Sequence, residues 1–420
     1  MSEENPVYIA SAGLDRCARS IGYAACGKKE GHFDQGVWLR DAVWGGLGSL
    51  STADEKKLQT VRASLNFFLD QSPLIPYRSM SYIHALYMLS HAKLKIPAHL
   101  EKDRTIPLAK ILLNPDILAG KSQHMADNFL ILMLAGNYLS SQNVSNDEKK
   151  EFWQAHQNHL KDFFRSYLDE FVNDSTSLIT EAALSTRQDS ICKSGNVLLT
   201  NVLWYKTLLD LRDGVIVAGN DEWSKQLIAM TNILKNNINK LFWPQLDETR
   251  SHYLDWVDEK GERYDYFDSL ANFWAIVTGI ADQARAEKIL AEVSNGNMRF
   301  GQYQLVETVN HPGYPDRLID RGLRILRFSQ WYNSGDKGIF WPEVSILFAA
   351  ALKKTGKELE AKEALGKIED LIIRHKGLHE IYFADGTPGR GGVFNGYRAP
   401  FNFTMALGTY LWVKANWENL

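Results

Sequence analysis

The sequence predicts an all-α protein in which helical hairpins form a ring. Apolar residues recur at steps of three and four along the 420-residue chain, and sustained alternation of apolar and polar residues is scarce. The connections between the periodic segments are of two kinds: some are short and polar, and others are long and rich in Trp, Arg, Asp and Gly. We therefore expect short turns on one face of the ring and functional loops on the other.

The helical periodicity also predicts where each helix lies. We expect helices near residues 36–50, 53–71, 77–89, 106–113, 122–140, 146–173, 196–213, 223–242, 266–280, 283–293, 317–329, 338–355, 361–376 and 400–417. Strand pieces are expected only near 253–256 and 303–306, as minor β ribbons. Because the sequence has neither a repeat of fixed period nor a low-complexity linker, we expect residues 1–420 to form a single domain.

The composition restricts the classes of partner. The formal net charge is only −3 and the chain has no long basic or acidic run, which argues against nucleic acid and anionic membrane surfaces as partners.

The three cysteines, Cys17, Cys26 and Cys192, lack the spacing of a disulfide framework, and the first ten residues, MSEENPVYIA, do not resemble a signal peptide. No apolar run approaches the ~20 residues that span a bilayer. We expect a soluble, cytoplasmic protein.

The first candidate site is the segment GVWLRDAVWGG, residues 36–46, where Trp38, Arg40, Asp41 and Trp44 lie near a helix start. Aromatic planes pack on the C–H faces of sugar rings, and an Arg–Asp pair can hold sugar hydroxyls through charged hydrogen bonds. Alternatively, Asp41 interacts with the helix dipole and Arg40 pairs with a surface acid. The combination of two tryptophans with an Arg–Asp pair favours sugar binding.

The second candidate site spans residues 177–208 and contains two acids, Glu181 and Asp189, ahead of a helix that carries Asn201. A general acid must stay protonated near neutral pH, and burial beside aromatic side chains raises a carboxyl pKa in this way. For Asp189 the alternative role is the capping of a helix or turn.

The third candidate site spans residues 377–397, a helix exit followed by a glycine-rich loop with Glu380, Tyr382 and Arg390. Gly377 is expected to end the preceding helix in the left-handed conformation. An irregular loop that carries aromatic residues and a carboxylate between two apolar helices is a frequent place for binding chemistry. The alternative is an ordinary surface loop with a solvated Glu380.

Three further positions are weaker candidates. Trp341 precedes Pro342 and Glu343 at a predicted helix start, where we interpret Glu343 as a partner of the helix dipole. Asp127 and Asp268 each open an apolar helix, either as caps or as polar groups at the mouth of the ring. The 11 histidines show no zinc-binding spacing and the phosphate-loop and dinucleotide motifs are missing, so we expect neither a metal nor an organic cofactor.

Several motifs together resemble those of a known family. In chain order they are WLRD, ADN, RQDS leading to TNVLWY, YFDSLANFWAI followed by ADQARAEKIL, GIFWP, and HEIY ahead of the glycine loop. Their order and separation resemble the (α/α)6-barrel glycoside hydrolases: neutral invertases, trehalases, the glucosidase domain of glycogen debranching enzymes, and the processing glucosidase and mannosylglycerate hydrolase group. The resemblance covers almost the whole chain and implies an (α/α)6 toroid of six helical hairpins.

The resemblance also assigns a catalytic pair. The family's general acid is an Asp in a short element, often of DWxD type, which here reads TRQDS and points to Asp189, with Arg187 in place of the tryptophan. Glu181 is the reserve candidate for the acid. The family's general base is a Glu in an ExY motif near the C-terminus, which corresponds to Glu380. The relatives invert the anomeric configuration, a geometry in which the two carboxyl groups lie roughly 6.5–9.5 Å apart.

Together these features predict an inverting exo-glycosidase that removes an α-linked glucosyl or related unit from a small soluble carbohydrate substrate. The WxRD element of the family lines the subsite of the released sugar. The predicted substrate contacts are Trp38, Arg40, Asp41, Trp44, Asp127, Asn201, Asp268, Trp341, Tyr382 and Arg390. Arg187, Arg390 or Arg398 would bind the carboxylate of an acidic aglycone. Two alternatives stay open: a sugar epimerase, isomerase or lyase on the same toroid, and a non-catalytic carbohydrate-binding relative.

Overall fold

The computed structural model describes residues 5–31, 37–70, 76–77, 123–124, 126–182, 191–244, 250–293, 314–318, 339–391 and 397–420. Twelve α-helices lie in these ranges and confirm the all-α class. In chain order they are α1 (Pro6–Cys17), α2 (Leu39–Leu50), α3 (Glu55–Leu69), α4 (Leu130–Ser140), α5 (Asn146–Phe171), α6 (Leu198–Val217), α7 (Asp221–Phe242), α8 (Ser269–Val277), α9 (Gln283–Glu292), α10 (Pro342–Lys354), α11 (Glu358–His375) and α12 (Thr404–Asn416).

The even-numbered helices form a closed inner ring. Each contacts the next, in the order α2, α4, α6, α8, α10 and α12, and α12 packs on α2 to close the ring. Odd-numbered helices pack outside it: α1 lies on α12, α3 on α2, α7 on α6 and α11 on α10. The fold is the expected toroid of helical hairpins.

The sequence pattern explains which helices are inner. Inner helix α6 is buried on all sides from Leu198 to Leu208, which requires apolar or small residues around the whole helix. Outer helix α5 buries one stripe, made of Phe152, Leu160, Phe163, Phe164 and Tyr167. The opposite side of α5 is charged and faces water. None of the described helices is both long enough and apolar enough to cross a membrane.

Short turns lead from each inner helix to the next outer helix, at residues 51–54, 141–145, 218–220, 278–282 and 355–357. Polar side chains cap the outer helices at these turns. Ser145 and Glu148 form a reciprocal capping box at α5, and Asp54 and Asp282 accept backbone N–H groups at α3 and α9. The expected contrast between short polar turns and long connections is confirmed.

The chain reverses direction at each short turn, so all the inner helices begin on one face of the ring. We call this face the mouth, and we call each stretch of chain that leads into an inner helix an entry segment. The entry segment of α6 is residues 172–197, that of α8 is 243–268, and that of α12 is 376–403. The mouth therefore collects the inner helix N-termini, where the helix dipoles favour negative charge.

Two-residue antiparallel strands lie along the entry segments, and two of the ribbons that they form join neighbouring entry segments. They are β1 (Ala18–Arg19), β2 (Gly22–Tyr23), β3 (Pro76–Tyr77), β4 (Gln123–His124), β5 (Asn196–Val197), β6 (Trp256–Val257), β7 (Arg263–Tyr264), β8 (Ile339–Phe340), β9 (Tyr382–Phe383), β10 (Arg390–Gly391) and β11 (Tyr397–Arg398). The ribbon β5–β6–β7 joins the entry segments of α6 and α8, and β8–β9 joins those of α10 and α12. Of the two predicted strand pieces, one overlaps β6, and residues 303–306 lie outside the described residues.

A glycine pair allows the ring to close tightly. At Gly48 a Cβ atom would collide with the backbone of Gly408, and at Gly408 it would collide with the carbonyl of Trp44. Helices α2 and α12 approach each other at this point with backbone against backbone. Alanine at either position would therefore separate the two helices that complete the ring.

Most of the predicted helices are confirmed, with shifted ends. The largest shift is in α4, which begins at Leu130 rather than near residue 122, because residues 126–129 form turns. The predicted helices near 77–89 and 106–113, and most of that near 317–329, lie outside the described residues. The sequence analysis misses α1, although Asn5 caps it and Pro6 occupies its first turn.

The end of α11 differs from the expectation. Lys376, and not Gly377, adopts the left-handed conformation that ends the helix, with φ 59° and ψ 33°. Gly377 has φ 157°, and a Cβ there would collide with Asn402 Oδ1 and the Phe401 ring. The close approach of Asn402 and Phe401, together with the positive φ, explains why residue 377 is a glycine.

Candidate active site

Buried acids surround the mouth. The entry segment or first turn of every inner helix contributes at least one: Asp41, Asp127, Glu181, Asp255, Asp268, Glu343 and Glu380. A buried carboxylate is unfavourable unless hydrogen bonds, cations or helix N-termini compensate its charge. What each of these acids can do therefore depends on its partners.

A small cavity lies on the toroid axis below the mouth. All six inner helices or their entry segments line it, and its polar lining consists of Arg40, Asp127, Glu343 and Thr409, with the rings of Trp44 and Trp274 beside them. The cavity volume of about 20 Å³ is enough for roughly one water molecule. It forms the floor of the mouth rather than a pocket for a whole sugar ring.

Three predicted substrate contacts meet at this floor. Arg40 Nε lies 3.6 Å from Asp127 Oδ2, and this ion pair joins α2 to the entry segment of α4. The Trp44 ring stacks on Trp274 with centroids 5.4 Å apart and an interplanar angle of 27°. Asp41 is buried in the first turn of α2, where the helix dipole favours a carboxylate. Two of the groups predicted from the first motif, Arg40 and Trp44, therefore lie together at the floor of the mouth.

Glu181 lies in the entry segment of α6 and is 3% exposed. Its backbone forms two hydrogen bonds of 2.9 Å with Gly195, and the Thr200 hydroxyl donates to Glu181 Oε2 at 2.7 Å. Burial raises the pKa of Tyr167 well above its usual value, and the charges of Glu181 and Asp127 raise it further. The Tyr167 hydroxyl itself donates to the carbonyl of Ala126, next to Asp127. The other candidate acid, Asp189, lies outside the described residues.

Asn201 has a structural role rather than the predicted role of sugar contact. Its Oδ1 accepts the backbone N–H of Ile179 at 2.7 Å. Its Nδ2 donates to the carbonyl oxygens of Ile179 and Val197, at 3.2 and 2.9 Å. With its amide fully engaged and buried, Asn201 fixes the chain two residues before Glu181.

The entry segment of α8 is held by the same pattern of backbone hydrogen bonds to an asparagine, which we call the frame. Asn272, in the first turn of α8, accepts the backbone N–H of Tyr253 at 3.0 Å and donates to the carbonyl of Asp268 at 2.9 Å. A buried carboxylate, Asp255, again lies two residues after the N–H donor, Tyr253. Its Oδ1 lies 2.6 Å from Lys193 Nζ and its Oδ2 accepts the Tyr314 hydroxyl at 2.5 Å. Burial raises the pKa of Asp255 to about 6 although Lys193 lowers it.

Glu380 lies in the entry segment of α12 and is 3% exposed. Its backbone N–H donates to the carbonyl of Pro400 at 3.0 Å, and His379 pairs with Phe401 in an antiparallel bridge. The carboxyl group predicted to be the base is therefore not a solvated surface Glu. It is buried on a segment that is hydrogen-bonded to the start of α12.

The ring order places the entry segments of α6 and α12 across the axis from each other. Helices α6 and α12 are three places apart in the inner ring of six. The entry segment of α6 carries Glu181 and, in sequence, Asp189, and the entry segment of α12 carries Glu380. A substrate at the mouth would therefore have one of these segments on each side.

Other predicted contacts are occupied by the protein itself. Tyr382 is fully buried, and its hydroxyl accepts the His379 N–H at 2.9 Å, so its ring has no face for a sugar. Trp341 is buried, with its ring 6.2 Å from that of Phe403. Asp268 caps α8 through the Ala271 N–H, which is the alternative role considered for it.

Two of the predicted substrate contacts keep solvent-exposed surface. Trp38 is half-buried at the start of α2, and Arg390 is exposed on β10. Sequence reasoning assigned Glu343 to the helix dipole and did not single out Trp274 or Lys193. The WPE triplet at an inner helix start was a signal for Glu343, whereas Lys193 stands in a segment without a recognisable motif. In the described ranges, no group of three or more His, Cys, Asp and Glu side chains is placed to hold a metal ion.

Comparisons with known proteins identify the fold. No protein-family model and no curated protein matches the chain. A GH63 mannosylglycerate hydrolase from Thermus thermophilus, in complex with Tris and D-glycerate, aligns with a TM-score of 0.66 and 14% identity over 97% of this chain and 100% of that chain. The same hydrolase in complex with glucose aligns with a TM-score of 0.63 and 14% identity over 96% and 98% of the two chains.

A variant of a second glycosidase, in complex with glucose, aligns with a TM-score of 0.61 and 12% identity over 100% of this chain and 98% of that chain. At such identities the likeness concerns the arrangement of the helices. The chain therefore has the fold of the (α/α)6-barrel glycoside hydrolases, and the resemblance that its motifs indicate is confirmed at the level of the fold.

Proposed function

We propose that the protein is an inverting exo-glycosidase that hydrolyses an α-linked glucosyl or related unit from a small soluble glycoside. The observation that carries this proposal is the placement of acid-bearing entry segments at α6 and α12, on opposite sides of the toroid axis. Glycoside hydrolysis with inversion requires one carboxyl group on each side of the scissile bond. The mouth offers this arrangement without a cofactor.

In the proposed mechanism Glu380 is the general base. Its carboxylate removes a proton from a water molecule that attacks the anomeric carbon, while the general acid gives its proton to the departing oxygen. The bond to the aglycone breaks as the bond to the water oxygen forms, so the released sugar has the opposite anomeric configuration. The buried, backbone-fixed position of Glu380 suits a group that must hold one water molecule in place.

The entry segment of α6 supplies the general acid. Family resemblance favours Asp189, and Glu181 is the reserve candidate, supported by its burial and by its hydrogen bond from Thr200 in the first turn of α6. Both residues belong to one stretch of chain, so the two assignments predict the same architecture. They differ in which single substitution abolishes proton donation.

The floor of the mouth binds the sugar in this proposal. The guanidinium of Arg40 and the carboxyl groups of Asp41 and Asp127 match vicinal sugar hydroxyls, and the rings of Trp38 and Trp44 offer apolar contact. The similar structures named above were determined with glucose or D-glycerate, which supports a small substrate. If the aglycone is acidic, the exposed Arg390 on β10 and Arg398 on β11 would bind its carboxylate.

A panel of α-glucosides and α-mannosides, with the released anomer followed by NMR, tests the proposal. Glu380→Gln is expected to lower kcat by about 10²–10⁴-fold, the usual range for a general base. Asp189→Asn or Glu181→Gln should cause a similar loss, but the true acid variant should keep its activity on a glycosyl fluoride, whose leaving group needs no proton.

Thermal unfolding of each variant serves as the control for folding. Retention of the anomeric configuration, or full activity of Glu380→Gln, would refute the inverting mechanism. Tight sugar binding by the wild-type protein without turnover on any glycoside would favour the non-catalytic alternative.

A further inference from the structure

Lys193 is the centre of a buried ionic cluster that the proposed mechanism does not use. Its Nζ lies 2.6 Å from Asp255 Oδ1 and 3.2 Å from Asp268 Oδ2. The Lys193 side chain is 2% exposed and both carboxylates are fully buried. The Tyr314 hydroxyl completes the cluster by donating to the second oxygen of Asp255.

Aromatic rings enclose the ammonium group. Lys193 Nζ lies 5.0 Å from the centroid of Tyr314 and 5.5 Å from that of Trp256. Trp256 is itself covered by Tyr264, whose ring is 4.1 Å away and nearly parallel. Such surroundings exclude water and strengthen the attraction between the ammonium and the carboxylates. Removal of Lys193 would leave two carboxylates buried side by side, a costly change.

The position of Lys193 in the chain gives this cluster a consequence for the mouth. Lys193 belongs to the entry segment of α6, whereas Asp255 and Asp268 belong to the entry segment of α8. Two residues later, Gly195 forms its paired backbone hydrogen bonds with Glu181. Residues 191–195 are thus held by the ionic cluster, and through Gly195 they fix the backbone of Glu181.

Both candidate acids are close to these residues, one in sequence and one in the structure. Asp189 precedes Lys193 by four residues in the sequence, and Glu181 is paired with Gly195. The backbone next to Lys193 is also held, because the Cys192 N–H donates to the carbonyl of Leu318 at 2.7 Å. A displacement of about 1 Å of a catalytic group can lower a rate by about 10²-fold, so a fixed backbone at Glu181 is of direct value for proton donation.

We propose that Lys193 is a positioning residue that anchors the stretch 191–195, and through Gly195 the backbone of Glu181, to the entry segment of α8. The inference rests on the proposed glycosidase function for its effect on the rate, but the anchoring itself does not. Lys193 does not contact the sugar in this role, so its loss should lower kcat and leave KM almost unchanged.

The chain contains a matched control. Lys57, in the first turn of outer helix α3, is also 2% exposed and pairs with two carboxylates, Asp15 at 2.8 Å and Asp54 at 2.9 Å. Its ammonium group is buried like that of Lys193, but its two carboxylate partners are 40% and 44% exposed, and it belongs to no entry segment. Lys57→Met should therefore reduce stability without affecting residues 191–195 or Glu181.

The test compares Lys193→Met, Lys193→Arg and Lys57→Met in the full-length protein. Hydrogen–deuterium exchange of peptides covering Glu181 and residues 191–195 should be faster in Lys193→Met than in Lys57→Met. For Lys193→Met, kcat should fall about 10–100-fold with KM within about threefold, and Lys193→Arg, which retains the charge, should recover part of kcat.

Equal exchange rates and equal kcat in Lys193→Met and Lys57→Met would overturn the inference. If Lys193→Met does not fold, the double variant with Asp255→Asn removes one charge of each sign and takes its place in both measurements. A wild-type protein without glycosidase activity would refute the proposed function alone, because the exchange experiment still decides whether Lys193 anchors the stretch.

Discussion

The entry segments of α6 and α8 have the same backbone frame but place different chemistry on it. In each, an asparagine in the first turn of the inner helix accepts the backbone N–H of a residue in the entry segment. A buried carboxylate lies two residues after that N–H donor. The pairs are Asn201 with Glu181 and Asn272 with Asp255. The frame also extends backwards, since Thr180 and Leu254 each donate their backbone N–H to the end of the preceding outer helix.

The neighbours of the two carboxylates differ. Glu181 accepts a hydrogen bond from the neutral Thr200 hydroxyl. Both oxygens of Asp255 are engaged, one by Lys193 and the other by Tyr314. The comparison shows that the same backbone frame holds a carboxylate beside a neutral hydroxyl in one segment and within an ionic cluster in the other.

The largest expected effect separates the two carboxylates directly. Glu181→Gln should lower kcat by about 10²-fold or more if Glu181 rather than Asp189 is the general acid, because the proton donor is then lost. Asp255→Asn should lower kcat less than tenfold, because Asp255 is bound to Lys193 and Tyr314 rather than open to the substrate. Steady-state kinetics on the best glycoside of the panel measures both. Equal losses in the two variants would contradict the division into a functional and a structural carboxylate.

A smaller effect is expected for the asparagines that support the frame. Asn201→Ala and Asn272→Ala each leave a buried backbone N–H without its amide partner, which should lower the free energy of unfolding by about 1–3 kcal/mol. Urea denaturation should show similar losses for the two variants. At equal stability loss, only Asn201→Ala should reduce kcat strongly, since it releases the segment before Glu181. A larger kcat loss for Asn272→Ala would reverse the roles assigned to the two segments.

The smallest expected effect is a pH dependence of stability. Asp255 has a pKa of about 6 in the folded protein, against about 3.9 in an unfolded chain, so the folded state binds its proton more tightly. The tighter binding of this proton stabilises the folded state below pH 4. As the pH rises through 6 the free energy of unfolding therefore falls, by up to about 3 kcal/mol. The stability difference between the wild type and Asp255→Asn should therefore shrink as the pH increases from 4.5 to 7 in urea titrations.

Asp54 is the control for this measurement, because its pKa is shifted in the opposite direction. Its hydrogen bond with Lys57 lowers the pKa of Asp54 below its usual value. Lys57 stays charged throughout the measured range, so the contribution of Asp54 to stability is lost only as the pH falls below 4. The difference between the wild type and Asp54→Asn should stay nearly constant from pH 4.5 to 7, and a constant difference for Asp255→Asn as well would contradict the raised pKa.

Sequence reasoning was most successful where the signal was repeated along the chain. The three- and four-residue periodicity predicted the helices, and the alternation of short and long connections predicted the ring, because both patterns recur many times. The motif around Trp38, Arg40 and Asp41 indicated residues that do lie at the mouth. For Tyr382 and Asn201 the sequence indicated sugar contacts, and the structure shows both side chains engaged with the protein.

The reason for these differences is physical. A helix and its buried stripe depend on residues a few positions apart, so the sequence by itself determined the all-α class, the hairpins and the approximate place of Glu380. Whether a polar side chain meets substrate or protein depends on groups far away in the chain, such as Lys193 for Asp255 and Ile179 for Asn201. Only the tertiary structure decided those partners, because the ring brings the entry segments together at the mouth.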